Sequence, residues 1–357
     1  MVIRRLIASG VAIGLLFAAA IPVAAHDSEN GHDRYLVTVL VTGPSPDADL
    51  VNAWGLTRGP GTPWWVADNG TGMSTVYRAD GTKLLPGPRV TIPGGAPTGT
   101  VFNANAAAGD FNGDVFLFAS EAGMITGWRS ALLGTAEVGN NDFAGKAVFK
   151  GLAIGTADVG QGPAQYLYAT DFHHRRIDIF DRTFAAQRWR GAFHDRELPK
   201  GYGPFGIQNL NGMLFVTYAK TQPGSTDERA GHGLGIVDAF ATNGKFLGRV
   251  ATHGALNAPW GLAWAPAGFG RFSGDLIVGN FGDGKLNAYR WDGHDWDYDG
   301  ALKGANHKPI VVDGLWGIGF GGGVNLVNNG PANTLFFAAG PNGESGGAFG
   351  TITVATH

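Results

Sequence analysis

The chain has 357 residues, a formal net charge of −3 and no cysteine, so neither disulfides nor a Cys-based metal cluster can organise it. Lys and Arg number 26 against 29 Asp and Glu and form no dense basic run, which excludes a nucleic-acid surface and a polybasic membrane contact. Ten Trp and 22 Phe exclude simple disorder, and 59 Gly beside that many aromatics point to many short strands joined by tight turns.

The first element is a leader. MVIRR is a positive start, residues 6–21 are almost wholly apolar, and Val23-Ala24-Ala25 supplies small residues for cleavage ahead of His26. Residues 1–25 therefore read as a signal peptide and 26–357 as one domain, periplasmic or secreted. Nothing later reaches the roughly 18 consecutive apolar residues that a spanning helix needs, so no transmembrane anchor is expected.

Next comes a strand outside any repeat, Arg34–Thr42 (RYLVTVLVT), and then a phrase that recurs six times: WGL at Trp54, TGT at Thr98, KGL at Lys150, FGI at Phe205, WGL at Trp260 and WGI at Trp316. The six glycines are 44 to 56 residues apart. An apolar run follows each phrase: WWVADN (64–69), FLFASE (116–121), YLYATD (166–171), LFVTYA (214–219), LIVGNF (276–281) and LFFAAG (335–340). Alternating runs such as STVYRADG and LNAYRWDG come third and end in Asp-Gly, a hairpin signal because those residues tolerate positive φ. Three or four strands per unit in six units, with blades starting near 52, 96, 148, 203, 257 and 313, predict an all-β, six-bladed β-propeller. A seven-bladed ring with one degenerate blade is the alternative. Each repeat glycine should sit on the innermost strand, where backbones crowd the axis, and the preceding Trp or Phe should pack between neighbouring blades. TITVAT (351–356) should pair with the N-terminal strand in the last blade and so remove the open edges.

WWVADNGTGMSTVY, PTGTVFN, FLFASEAGMITGW, YLYATDFHHRRIDIFD and VDGLWGIGFG together resemble a family of exported bacterial conserved hypothetical proteins with NHL-like propeller repeats. The resemblance spans nearly the whole chain after the leader. It implies the propeller and export; the family has no established activity.

On such a scaffold, the residues that end the second strands ring the funnel mouth. Asp68, Asn69, Glu121, Asp171 and Asn280, with His173 beside them, form the candidate ligand ring. Their carboxylates and amides could hold Ca²⁺, which prefers six to eight oxygens, or could hydrogen-bond to neighbouring blades. Asp295, Asp297 and Asp299 follow the D-x-D-x-D-G opening of a calcium loop and are a second candidate metal site, although an acidic hairpin explains them as well. Thr221–Gly233 (TQPGSTDERAGHG) interrupts the fourth unit as a long polar loop expected to hang over the funnel mouth. Gly-x-Ser-x-Gly, P-loop and zinc spacings are all absent. The leading expectation is a monomeric binding module for a small-molecule or protein ligand. The alternative is a divalent-cation-dependent lactonase-like hydrolase or lyase, favoured by Asp313-Gly314-Leu315, which looks like a fragment of the metal-site phrase of gluconolactonase-type propellers.

Overall fold

The computed structural model describes residues 34–84 and 89–355; the leader lies outside them. Short runs of β-branched and aromatic residues between glycine-rich turns form six antiparallel sheets of four main strands each. The innermost strands are Ala53–Thr57, Pro97–Phe102, Phe149–Asp158, Tyr202–Leu210, Pro259–Trp264 and Leu315–Phe320, for blades 1 to 6. Each inner strand touches the next, and the sixth returns to the first, so the sheets close into a six-bladed propeller.

The closing strand is N-terminal. Tyr35–Gly43 pairs antiparallel with Gly347–Val354 and forms the outer edge of blade 6. Tyr35 is buried there, stacks against Phe272 and donates its hydroxyl to the Phe269 carbonyl of the neighbouring blade, a bond of 3.0 Å.

The repeat glycines are a steric requirement. A Cβ on Gly206 would lie 2.1 Å from the Trp260 carbonyl oxygen, one on Gly261 2.6 Å from that of Trp316, and one on Gly317 2.5 Å from that of Trp54. Gly55, Gly99 and Gly151 press in the same way on the backbone of the blade that follows. The aromatics before these glycines behave differently from the expectation of packing between blades. Trp54, Phe205, Trp260 and Trp316 meet on the axis itself, with Phe172 and Phe281, because six converging strands leave a central hole that only large flat rings fill. Trp316 is wholly buried, stacked between Trp54 at 3.6 Å and Phe281 at 3.9 Å between centroids.

Candidate functional site at the upper mouth

The upper face is the one where inner strands begin and second strands end. At the plug position of blade 3 the chain carries Lys150 instead of an aromatic. Its side chain is 2 % exposed, and its ammonium lies 5.1 Å from the centroid of the Trp54 ring, a cation–π contact. The Lys150 carbonyl accepts the indole N–H of Trp260 at 2.9 Å, which ties the plug to the polar layer above it.

Carboxylates surround this ammonium. Lys150 Nζ lies 2.6 Å from Glu121 Oε1, 3.4 Å from Asp227 Oδ1 and 4.0 Å from Glu228 Oε2. Glu344 lies within electrostatic reach of Lys150, Glu121 and Asp227. An amide chain continues the network: Asn69 Nδ2 donates to Glu121 Oε2 at 2.9 Å, Asn52 Nδ2 donates to Asn69 Oδ1 at 3.4 Å, and Trp316 Nε1 donates to Asn52 Oδ1 at 3.1 Å. Burial alone would depress the Lys150 pKa, but the ion pairs with Glu121, Glu228 and Asp227 outweigh it and hold the group above the ordinary lysine range. Lys150 is a charged structural cation here, not a neutral amine ready for attack.

Glu228 arrives on the long loop. Residues 228–229 pair back onto Lys220 and Thr221, so the expected excursion over the mouth folds as a short hairpin and delivers Asp227 and Glu228 to Lys150. The Glu228 side chain is 10 % exposed, and its Oε2 has no hydrogen-bond partner among the described residues. Burial pushes its carboxyl up to about 6 against the opposing pull of Lys150, and Glu344 is raised by burial as well. The rim therefore sets four carboxylates against one ammonium. Beside it opens a cleft of about 650 Å³ between residues 221–226 of the loop and Phe172, His173 and Arg175.

Of the residues expected to form the ring, Asn69 and Glu121 come together, and they meet at an ammonium. Asp68 is buried inside blade 1 next to Thr75, with Asp47, Lys83 and Asp49 as its charged neighbours; desolvation drives its carboxyl well above the usual range. Asp171 is taken up by its own turn, accepting the N–H groups of Val148 and His174 and pairing with the His174 ring at 2.5 Å. His173 borders the cleft. Asn280 donates to the Ala255 carbonyl and to Asp283, away from Lys150. Asp295, Asp297 and Asp299 sit on the outer strand of blade 5 and its turn. Asp299 is held by Arg271 at 2.9 Å and Arg290 at 2.5 Å, and Asp297 is exposed opposite Arg290. Among the described residues no group of three or more His, Cys, Asp or Glu is placed to hold a metal ion. The second-strand rule missed Asn52, Lys150, Asp227, Glu228 and Glu344. The one signal for Lys150 was its place in the repeat, a charge where four of the other five blades carry an aromatic.

No family model matches the sequence. Among solved structures, virginiamycin B lyase from Staphylococcus aureus superposes with a TM-score of 0.51 at 16% identity, covering 91% of this chain and all of that one. The gluconolactonase XC5397 from Xanthomonas campestris gives a TM-score of 0.50 at 14% identity, over 91% of this chain and 90% of that one. At such identities the likeness is one of fold. Relatives by sequence are viral: uncharacterized protein R648 of Acanthamoeba polyphaga mimivirus is 32% identical over 291 residues, 76% of this chain and 69% of that protein. Uncharacterized protein L690 of the same virus is 32% identical over 294 residues, 76% of this chain and 74% of that protein. With identity at that level over most of both chains, this protein belongs to the same family as R648 and L690 of the mimivirus.

Proposed function

We propose that the protein is an exported, non-catalytic propeller that binds a ligand bearing an ammonium or guanidinium group at its upper mouth. The observation that carries this reading is the excess of carboxylates around Lys150: one ammonium neutralises one of the four, and Glu121, Asp227 and Glu344 all remain partly open to solvent. The aromatic plug beneath closes the axis, so a ligand rests on the mouth and extends into the cleft at His173. The apolar run of residues 6–21 supports export. The test is titration with tetramethylammonium and with arginine methyl ester, followed by fluorescence of the tryptophans under the site. Wild-type protein is expected to respond, and the double variant D227N/E344Q to bind at least tenfold more weakly. If neither cation binds, the reading fails.

A second reading is a lactonase-like hydrolase or a lyase, with or without a divalent cation. Glu228 favours it: a buried carboxyl near pKa 6 with an unpartnered oxygen is suited to general acid–base work at neutral pH. The gluconolactonase and lyase likenesses of fold are in keeping with it. Turnover of glucono-1,5-lactone, measured with and without calcium chloride and abolished in E228Q, would support this reading; an inactive wild type would discard lactone hydrolysis.

A further inference from the structure

The lower mouth of the axis has a different chemistry. The inner strands end there, and they enclose a cavity of about 340 Å³ that narrows upward to a hollow of about 20 Å³ beneath Trp260. Its walls are mixed: Leu56, Leu262, Ile318, Phe320 and Trp264 supply apolar side chains, and Thr57, Gln208, Asn209 and Asn211 polar ones. Into it comes one cation, Arg58, which immediately follows the inner strand of blade 1.

Arg58 is fixed without being neutralised. Its Nε donates to the Phe320 carbonyl at 3.0 Å and its Nη2 to the Gly321 carbonyl at 2.8 Å, while the guanidinium lies 5.5 Å from the centroid of the Trp64 ring. These contacts lock the plane of the group. Among the described residues no carboxylate pairs with it and its Nη1 has no hydrogen bond, although burial disfavours the charge. The other arginines lining charged regions of the outer blades, Arg129, Arg249 and Arg290, each engage two carboxylates. Across the cavity, the Gln208 amide forms no side-chain hydrogen bond among the described residues. The Trp64 indole N–H, next to Arg58, also lacks an acceptor among the described residues.

We propose that the lower mouth is a binding site for an organic carboxylate with a flat apolar body, its carboxylate held by Arg58 and Gln208 and its body packed between Leu262, Ile318 and Trp264. A half-buried guanidinium held by two carbonyls and left with a free N–H edge is preorganised for an anionic oxygen, because bonds of this charge-assisted kind are short and strong. The apolar side chains of Leu262, Ile318 and Trp264 favour a carboxylate on a hydrocarbon body over a strongly hydrated inorganic anion. This site is independent of the upper mouth, since it shares no residue with the Lys150 cluster.

The test is calorimetric titration with benzoate, with benzamide as its uncharged counterpart and inorganic phosphate as the anion without an apolar body. Wild-type protein is expected to bind benzoate at least tenfold more tightly than either. R58Q should lose that preference, R58K should keep part of it, and Q208A should weaken benzoate while leaving benzamide unchanged. D227N/E344Q, altered at the other mouth, should bind benzoate as the wild type does. No binding of benzoate by the wild type, equal binding of benzoate and benzamide, phosphate binding as tightly as benzoate, or an unaltered affinity in R58Q would each overturn the proposal. The benzoate–benzamide comparison needs only wild-type protein, so the proposal is tested even if R58Q fails to fold.

Discussion

Lys150 occupies a position that three blades fill with tryptophan and one with phenylalanine, and the exchange turns an apolar plug into the floor of a charged mouth. A buried ammonium is tolerable only with its counter-charges in place, and removing it leaves the carboxylates of Glu121 and Glu228 without the cation they share. K150M is therefore expected to lose roughly 3–5 kcal/mol in urea denaturation, with part of that loss recovered in K150M/E121Q. Glu228 supplies a pH dependence of opposite origin. Its folded pKa, pushed up to about 6 by burial, exceeds the ordinary value of 4.5, so the folded protein binds this proton more tightly than the unfolded chain does. The stability it contributes is complete below about pH 4.5 and is lost as pH rises through 6. The stability of wild type relative to E228Q should accordingly fall by about 2 kcal/mol between pH 4 and pH 8; an unchanged difference in denaturation midpoints would contradict this assignment. At this scale the sequence was only half legible. Asn69 and Glu121 come directly after the second strands Trp64–Asp68 and Phe116–Ser120 and could be placed by counting. Asp227, Glu228 and Glu344 lie in loops whose reach depends on the tertiary fold, and Asp171 satisfies itself within a turn that alternation alone does not reveal.

The inner strand is the element that makes the ring, and its glycine shows why the repeat could be read so plainly. At Gly206 the obstructing atom is the Trp260 carbonyl oxygen, which cannot swing aside as the tip of a side chain would. G206A should cost roughly 1–3 kcal/mol or more through forced separation of blades 4 and 5. G61A, where a Cβ meets nothing within 4 Å, should stay within about 0.5 kcal/mol of wild type in the same denaturation experiment. Because every blade faces this constraint, glycine recurs once per unit and the blades can be counted from the text alone. The aromatic beside it was legible as buried but not in its direction. Its place on the axis follows from the number of strands converging there, a property of the closed ring and of no single strand.

For the molecule as a whole, closure rests on one strand pairing. Tyr35–Gly43 covers the edge of Gly347–Val354, and the Tyr35 ring reaches across to Phe269 and Phe272 of blade 5. Y35A is expected to cost roughly 3–5 kcal/mol, and a chain lacking residues 34–43 to expose a bare sheet edge and associate, which size-exclusion chromatography would show as a shift to larger species than wild type. This closure could be anticipated because two strand-like runs stood outside the repeats, one at each end. The two mouths could not, since their opposite chemistries arise from Lys150 and Arg58, single residues on either side of the aromatic plug.

The same pairing sets an order in time. Tyr35–Gly43 precedes all five other blades in the sequence and has no strand partner until Gly347–Val354 has been made, so it must wait through the synthesis of five complete blades. Blades 1 to 5 contain all their main strands in sequence and can form as they appear, whereas blade 6 is assembled from both ends of the chain and only then shuts the ring. Loss of either partner of that pairing would thus leave an open arc, never a smaller circle, because blades 1 to 5 do not close on themselves.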